Sequence, residues 1–585
     1  MSQPVVSQIS ELKRPSEKYP RRFLPRDLVV NEWSILEPFF AKLQEREVNS
    51  KADLEKWLLD LSETYSVVYE EGARRYIAMT CATNDETIEK AYIKFVEEIE
   101  PNLKSYANLL DKKLIESPYA SELDPVRHGV LLRSVKNSIE LFREENIPLE
   151  TEVQKLSQQY QKIQGAMTVN FHGEELTMQQ MGVFMLDNNR ETRKEAWEAI
   201  TIRRLEDTEA LEDLFDKMLA LRGEIAQKAG FEDFRAYQFR RYERFDYTPE
   251  DCEKFHQAVE QFVVPVNRAS LEDRRVALGI DSVKPWDMAC DRYGRDPLKP
   301  FQSDRQLAEG AREIYSRVDS RLSDKFDLLL QNGLLDLGSR KGKAPGGYQS
   351  TLDEIRLPFI FMNAVGLNGD VFTMLHEGGH AFHAIQTAEE PLVQYRGAPM
   401  EFSEVASMTM EHLGAPHLEV FYKPTDAARA RYEHFEGSIA LLAWIATIDA
   451  FQHWIYSHPK HTRVERTAYW LQLNQRFGAG IDFAGWEDAI KYRWHAQIHI
   501  FEYPFYYIEY GIAQLGALQI WRNSKKDVKS AVDAYLAGLK LGASSPLPVL
   551  FQTAGAKFDF SADTIRPIMV DVQHEVELQR KLEQA

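Results

Sequence analysis

The sequence predicts a mainly α-helical protein with one small β-sheet. Helical periodicity dominates the chain from Glu32 to Ile225 and again from Glu401 to the C-terminus. In these regions apolar residues recur at three and four positions, with Lys and Glu on the other faces. Between the two helical regions lies a short stretch of strand-like residues. An example of the helical pattern is given by Leu54, Leu58, Leu61, Tyr65 and Val68.

Turn and cap residues divide the helical regions. Asn84–Glu86 and Asp187–Asn189 are expected to be turns or helix caps. At Thr248 a capping residue precedes Pro249, which is favourable at the first position of a helix, so another long helix is expected there. The segment from Gly279 to Pro300 is rich in Pro, Gly and Asp and is predicted to be a loop or hinge.

The strand-like stretch follows a change of composition near Lys341. Residues 346–350 and 355–362 are predicted to form a short strand pair, and Pro358 confines the second segment to a sheet edge or a strand end. Beyond this pair, Asp370 is a plausible N-cap for a helix from Val371 to about Ile385. We therefore expect a small sheet directly before that helix.

Charge and cysteine usage exclude several classes of partner. The formal net charge of −19 argues against a nucleic-acid partner and against an anionic membrane surface. The three cysteines, Cys81, Cys252 and Cys290, provide no disulfide framework and suit a reducing cytosol. Residues 1–25 lack an apolar secretory core, and no uninterrupted apolar run approaches 18 residues. A cytoplasmic location is therefore expected.

The residue pattern with the clearest chemistry is His376-Glu377-Gly378-Gly379-His380. Two histidines four residues apart on a helix project from one face, where they can bind a single Zn²⁺. Glu377 lies beside the first histidine and can polarise a metal-bound water without binding the metal. The two glycines cost about 1 kcal/mol each relative to alanine. Close approach of another backbone or of a substrate is the expected reason for them.

A catalytic zinc needs a third protein ligand, and the next helix offers two candidates. Glu404 lies 24 residues beyond His380, and Glu401 lies one turn earlier on the same face. Apolar neighbours indicate that this helix is buried. Glu411, two turns after Glu404, is suitably placed to orient a histidine ligand.

A third group of polar residues follows Trp494. His499, Tyr503, Tyr507 and Tyr510 carry donors that can stabilise a negative oxyanion, and the three tyrosines would share one helical face. Aromatic residues at this spacing also occur in ordinary packed cores, so the pattern alone leaves both interpretations open.

Taken together, these motifs resemble the oligoendopeptidase F and thimet oligopeptidase family of zinc metallopeptidases. The family pattern His-Glu-x-Gly-His-x-x-His matches residues 376–383, and its Glu-x-x-Ser context matches Glu404 and Ser407. Trp494 stands five residues before His499, as in oligoendopeptidase F. The resemblance is good over residues 200–580 and looser upstream. It favours Glu404 over Glu401 as the third ligand.

The resemblance also implies an architecture and further site residues. It implies a zincin-type helical body split by a deep channel, with an N-terminal helical region (1–200) and a catalytic region (201–585). The site would include one zinc held by His376, His380 and Glu404, with Glu377 as general base. Further residues predicted near the catalytic or substrate-binding positions are Glu411, Gly346, Gly347, Tyr348, His383, His495, His499, Tyr503, Tyr506, Tyr507 and Tyr510.

The function implied is hydrolysis of internal bonds in short, unfolded peptides by a metal-bound water. The choice among the tyrosines stays open, and two features depart from the family pattern: Gly378 replaces a bulkier residue, and the spacing of His499 and Tyr503 differs from the thimet branch. The alternatives are a zinc carboxypeptidase or dipeptidase and a catalytically inactive peptide-binding protein. Histidine and carboxylate ligands also tolerate Mn²⁺ or Co²⁺. Cleavage preference and oligomeric state are not predicted.

Overall fold

The structure is a computed structural model that describes residues 12–340, 342–344 and 346–584. Helices account for most of these residues, and the strands are few and short. The predicted mainly α-helical class with a small sheet is confirmed. Lys341, near which the composition changes, and residues 1–11 of the segment 1–25 lie outside the described residues.

The helices occur where the apolar periodicity places them, and several begin at a capping side chain, as at Ser50, Asp85 and Ser303. Their bounds are Trp33–Glu45, Lys51–Cys81, Glu86–Lys94, Glu100–Glu116, Pro125–Leu141, Ile147–Gly165, Met178–Phe184, Arg190–Glu206, Thr208–Lys228, Phe234–Arg241, Pro249–Phe262, Val264–Leu278, Asp304–Val318, Ser320–Gln331, Asn368–Gln386, Met400–Gly414, Pro424–Ser457, Arg463–Phe477, Glu487–Lys491, Ile498–Glu502, Ile508–Ser524, Val528–Lys540, Leu547–Thr553 and Ala562–Glu583.

The caps predicted within Asn84–Glu86 and Asp187–Asn189 and at Thr248 are confirmed. Asp85 accepts hydrogen bonds from the N–H groups of Thr87 and Ile88, and Asn189 accepts one from Glu191. Thr248 forms a reciprocal capping box with Asp251 at the start of helix Pro249–Phe262. The segment after Leu278 is irregular apart from the single turn Pro285–Asp287, as the predicted loop requires.

The strands form two small sheets. Their bounds are β1 (Thr168–Phe171), β2 (Glu174–Thr177), β3 (Leu335–Gly338), β4 (Tyr348–Leu352) and β5 (Leu357–Ala364). β1 and β2 form a hairpin, and β5 lies between β3 and β4, parallel to β3 and antiparallel to β4. The predicted strand pair is confirmed as β4 and β5, and Pro358 occupies a strand end, the second position of β5.

Three of the strands were absent from the sequence prediction. The β1–β2 hairpin interrupts a region predicted to be helical, and its turn needs positive φ angles at His172 (51°) and Gly173 (89°). β3 was also missed, because four residues are too few to show a clear alternation.

The described chain divides into two compact units. The first comprises the described residues within 1–140, 299–427 and 516–558, and the second comprises those within 141–298, 428–515 and 559–585. A core of the first unit is built around Trp33, Phe40, Trp57 and Leu110, all of them buried. The division into 1–200 and 201–585, and the channel, remain predictions.

The longest helix, Pro424–Ser457, is long and apolar enough to cross a membrane by length and composition alone. However, 78% of its apolar window is buried inside the structure. Residues 428–457 of this helix belong to the second unit. Because it is buried, its apolar character is that of a helix in the core of the second unit.

Candidate metal centre

Two helices of the first unit carry the predicted metal-ligand motif and its predicted acidic partner. We call Asn368–Gln386 the motif helix and Met400–Gly414 the glutamate helix. The motif helix begins three residues earlier than predicted. Asp370 is therefore not its N-cap but its third residue. Its Oδ2 atom accepts hydrogen bonds from the N–H groups of Val365, Gly366 and Leu367, each at 2.9 Å.

The glycines of the motif let this helix approach its neighbours closely. A Cβ atom on Gly379 would stand 2.4 Å from the carbonyl oxygen of Ala406 on the glutamate helix. A Cβ on Gly378 would stand 2.0 Å from the hydroxyl of Tyr315, which donates to the carbonyl of Met374 at 2.7 Å. The expected backbone approach is thus confirmed at Gly379. At Gly378 a tyrosine hydroxyl fills the space of the bulkier residue.

This packing brings three potential ligands together. The Nε2 atom of His376 lies 3.4 Å from Oε2 of Glu404, and Nε2 of His380 lies 3.8 Å from the same oxygen. One ligand atom from each of the three residues lies within 4.8 Å of the others. The two imidazole rings are 5.0 Å apart and nearly perpendicular.

These separations fit one tetrahedral ion. Zinc–nitrogen and zinc–oxygen bonds of about 2.0–2.2 Å place two ligands of a tetrahedral ion roughly 3.3–3.6 Å apart. The two measured separations lie at or close to that range. Two histidines and a carboxylate are also a donor set of catalytic zinc sites that keep an open position.

Neighbouring side chains hold the three residues in place. Oε1 of Glu411 lies 2.7 Å from Nδ1 of His376, so this imidazole keeps Nε2 for a metal. The Ser407 hydroxyl donates to Oε2 of Glu404 at 3.0 Å. Burial opposes ionisation of Glu404, but the contact with His376 and the charges of the nearby imidazoles outweigh it and lower the pKa to about 2.

Glu377 lies beside this set without joining it. Its side chain is buried, and within the described part of the chain Oε2 has no hydrogen-bond partner. Burial, opposed by His376 and assisted by Glu404 and Glu411, raises the pKa of Glu377 to about 7. Gly347 borders this carboxyl group, since a Cβ there would be 3.7 Å from Oε1.

Other residues predicted around the motif have different surroundings. Gly346 adopts a φ of 95°, and its carbonyl accepts a hydrogen bond from Asn363 at 2.8 Å. The Tyr348 hydroxyl lies 2.6 Å from Thr80 Oγ1, and its ring stacks on Phe361, so it anchors β4. His383 is buried, and burial lowers its pKa to about 3.

The tyrosine group belongs to the second unit and is arranged differently from the prediction. Helix Ile498–Glu502 ends before Tyr503, Phe505 has a φ of 68°, and a new helix begins at Ile508. The predicted single helical face for three tyrosines is therefore wrong. The turn nevertheless packs four tyrosines around the ring of His499, at centroid distances of 6.2 Å (Tyr503), 5.8 Å (Tyr506), 4.9 Å (Tyr507) and 5.9 Å (Tyr510).

A short hydrogen-bonded chain defines which nitrogen of His499 carries hydrogen. The Trp444 indole N–H can only donate, and it faces Oε1 of Gln497 at 3.0 Å. The amide nitrogen of Gln497 then faces Nδ1 of His499 at 2.8 Å and donates to it. His499 must accept at Nδ1 and carry its hydrogen on Nε2. Burial lowers the pKa of His499 to about 4, so the ring is neutral near pH 7.

His495 has a separate environment. Its Nε2 lies 3.2 Å from Oε1 of Glu212, and its carbonyl accepts hydrogen bonds from Tyr160 and Gln164. These contacts tie the segment before His499 to the helices Ile147–Gly165 and Thr208–Lys228. Trp444, Gln497, Tyr315 and Glu212 were not anticipated, and Trp444, Tyr315 and Glu212 contact residues that are distant in the sequence. The only available signal was the closeness of Gln497 to His499.

Comparison with known proteins places the chain in a family. Residues 183–569 match the model of peptidase family M3, and residues 28–142 match the peptidase M3 N-terminal domain. The chain therefore belongs to peptidase family M3. The predicted resemblance and the predicted class of enzyme, a metallopeptidase, are confirmed by this match.

Individual relatives agree with the family. The chain is 27% identical to oligopeptidase PepF of Bacillus subtilis (strain 168) over 293 residues, which are 47% of this chain and 41% of that protein. It is 25% identical to the chromosomal oligoendopeptidase F of Lactococcus lactis subsp. cremoris over 398 residues, 64% and 62% of the two chains. The chain thus aligns with about half the length of the curated relatives it matches.

A solved structure extends the similarity to nearly the whole chain. PZ peptidase A, determined with an inhibitor, superimposes with a TM-score of 0.87 at 26% sequence identity. The match covers 94% of this chain and 99% of that one. The mainly helical fold with its small sheet is therefore shared with a peptidase.

Proposed function

We propose that this protein is a zinc-dependent endopeptidase that hydrolyses internal bonds of short oligopeptides. The observation that carries the proposal is the convergence of His376, His380 and Glu404 beside the buried carboxyl group of Glu377. Membership of peptidase family M3 supports the same activity. We expect one zinc at this centre, and Mn²⁺ or Co²⁺ would suit the same ligands.

His376 and His380 would hold the ion through their Nε2 atoms and Glu404 through its carboxylate. Glu411 orients His376, and Ser407 orients Glu404. When bound, zinc polarises a substrate carbonyl and lowers the pKa of water. These orienting hydrogen bonds keep the ligand atoms in position before any substrate arrives, which limits reorganisation during the reaction.

Glu377 would move the proton. Its carboxylate accepts a proton from the attacking water and delivers it to the nitrogen of the leaving amine. Burial raises the pKa of this carboxyl group above its usual range, which suits a group that must hold the proton between the water and the leaving amine.

His499 and the surrounding tyrosines would stabilise the oxyanion. A neutral imidazole with its hydrogen on Nε2 can donate a hydrogen bond at that atom, and this supports the proposed role of His499. Tyr503, Tyr507 and Tyr510 remain the candidate hydroxyl donors, and Tyr506 and His495 remain candidate contacts to substrate.

Strand β4 would bind peptide backbone by strand addition. The N–H group of Ile360 in β5 donates to the carbonyl of Leu334, the residue before β3, and therefore points away from β4. Gln349 lies opposite Ile360 in β4, so these two residues form a pair without hydrogen bonds between the strands. By the antiparallel alternation, Gln349 and Thr351 direct their N–H and C=O groups away from β5. An extended peptide can bond to this edge through its backbone, which explains low side-chain selectivity.

Cleavage of internally quenched peptides blocked at both ends tests the proposal. We expect cleavage of these short peptides, loss of cleavage with a chelator, and recovery on addition of Zn²⁺. A carboxypeptidase or dipeptidase would leave doubly blocked peptides intact. An inactive peptide-binding protein would bind them without turnover, and either result would reject the proposal. A cytoplasmic location, without nucleic-acid or membrane partners, is part of the proposal and is compatible with three free, buried cysteines.

A further inference from the structure

A second group of potential metal ligands lies in the second unit. Helix Pro249–Phe262 contributes Cys252 and His256, and helix Pro424–Ser457 contributes Asp449 and His453. Each pair is four residues apart, so both side chains of a pair project from the same face of their helix. All four residues are buried, with exposures of 0% for Cys252 and Asp449, 4% for His256 and 6% for His453.

The donor atoms of this group converge. One ligand atom each of Cys252, Asp449 and His453 lies within 4.8 Å of the others. Nε2 of His453 is 3.3 Å from Oδ2 of Asp449, a separation typical of two ligands on one tetrahedral ion. Nε2 of His256 is closer to the same oxygen, at 2.8 Å, which is a hydrogen bond.

Several of these polar atoms lack the partners that burial normally requires. Among the described residues, Nδ1 of His453 and Oδ1 of Asp449 have no hydrogen-bond partner, and Nε2 of His453 has only its 3.3 Å contact with Oδ2 of Asp449. An unsatisfied buried polar group costs about 1–3 kcal/mol. An ion bound through Nε2 of His453 and the carboxylate of Asp449 would satisfy Oδ1 of Asp449 and give Nε2 a stronger partner.

We propose that Cys252, Asp449 and His453 form a second metal site, structural in type, that binds Zn²⁺ or a similar ion. With both carboxylate oxygens, the three residues offer four donor atoms, as many as a closed zinc site uses. His256 donates its Nε2 hydrogen to Asp449 and orients that carboxylate, as groups behind metal ligands commonly do.

Charge balance and ligand type favour this occupant. On binding, the Cys252 S–H bond breaks, the thiolate binds the ion and the proton leaves to solvent. One thiolate and one carboxylate neutralise a divalent cation, so the buried site carries no net charge. Sulfur and imidazole donors select Zn²⁺ or Co²⁺ over Mg²⁺ and Ca²⁺, which prefer oxygen.

Cobalt incorporation tests the site in the full-length protein. Protein produced in medium containing Co²⁺ should show a near-ultraviolet thiolate-to-cobalt charge-transfer band. This band requires a cysteine ligand, and the His376, His380 and Glu404 set contains none. The readout is therefore independent of the proposed peptidase centre, and the band should persist in the His376→Ala/His380→Ala variant.

Cysteine variants assign the band. Cys81→Ala/Cys290→Ala removes two buried cysteines outside the cluster and leaves Cys252 as the remaining thiol, so the band should be retained. Cys252→Ala should lose the band together with one metal ion per chain, whereas Cys290→Ala alone is the matched control that keeps both. The assignment does not depend on Cys252→Ala folding, because the Cys81/Cys290 double variant decides it.

The contrary results are equally clear. Absence of the charge-transfer band from the wild-type cobalt protein would overturn the proposal. So would loss of the band in Cys81→Ala/Cys290→Ala with the band retained in Cys252→Ala. Elemental analysis should find a metal ion that survives the loss of His376 and His380; a metal-free variant would also reject the second site.

Discussion

At the scale of single residues, two side chains that do not contact substrate in our proposal decide which ring nitrogen of His499 carries the hydrogen. Trp444 can only donate, so it sets the orientation of the Gln497 amide, and Gln497 in turn makes Nδ1 of His499 an acceptor. The buried imidazole has a pKa of about 4, so the Nε2 hydrogen is present at every pH well above that value. Gln497 is accordingly a positioning residue.

Gln497→Glu should reverse this arrangement with almost no change of shape. The new carboxylate accepts a hydrogen from Nδ1, so neutral His499 loses the hydrogen on Nε2. The negative charge also raises the pKa of His499. We expect kcat/KM at pH 8 to fall about 10²-fold, with KM little changed and partial recovery as the pH falls and the imidazole becomes protonated. Peptide cleavage measured from pH 5 to pH 9 checks this.

Gln227→Glu provides the matched control. Gln227 is exposed in the same unit and receives the same charge, so its pH profile should follow that of the wild type. A Gln497→Glu enzyme with a wild-type profile would remove Gln497 and His499 from the proposed oxyanion stabilisation.

The sequence predicted which residues could converge as metal ligands, but not what surrounds them. His376 and His380 needed only a helix to share a face, and the family pattern selected Glu404. By contrast, Tyr315 fills the space beside Gly378 from a helix about 60 residues away in the sequence, and such contacts leave no periodic signal. The turn at Phe505 was missed because the aromatic spacing also fits a continuous helix.

At the scale of elements, the close approach of the motif helix and the glutamate helix determines the distance between the histidines and Glu404. Gly379→Ala would place a methyl group 2.4 Å from the Ala406 carbonyl oxygen, which Tyr535 also contacts at 2.7 Å. The helices must move apart. We expect a loss of about 1–3 kcal/mol in the free energy of unfolding and weaker metal binding.

Gly369→Ala is the control on the same helix, because a Cβ there meets no atom within 4 Å among the described residues. Denaturant unfolding and metal titration of the two variants compare the effects. Equal stability and equal metal affinity of Gly379→Ala and Gly369→Ala would contradict the proposed role of this helix contact.

Strand β4 allows a second test at the element scale. Thr351→Pro removes an N–H group that points away from β5, opposite Pro358, and therefore leaves the β4–β5 hydrogen bonds in place. Loss of one backbone hydrogen bond to the peptide, worth about 0.5–1.5 kcal/mol, should raise KM about 2- to 10-fold. The turnover number should change little, and an unchanged KM would argue against strand addition at this edge.

At the scale of the whole molecule, the sequence predicted the helical class and the sheet before the motif helix. The predicted N-terminal region, residues 1–200, is a continuous stretch of sequence, whereas the two compact units are groups of residues that contact one another in space. The predicted boundary follows the extent of the family resemblance along the chain, whereas each unit is assembled from three separate segments. Contacts between distant segments, including the one that joins Cys252 to Asp449 and His453, depend on tertiary packing that periodicity does not encode.

The variant Glu377→Gln gives the most direct test of the proposed catalytic centre. The amide keeps the shape of the carboxyl group but cannot accept the proton from water, and His376, His380 and Glu404 are unchanged. We expect the metal content of the wild type, by elemental analysis, with cleavage of doubly blocked peptides reduced about 10³-fold or more. Near-wild-type turnover by metal-loaded Glu377→Gln protein would contradict the assignment of Glu377 as the general base.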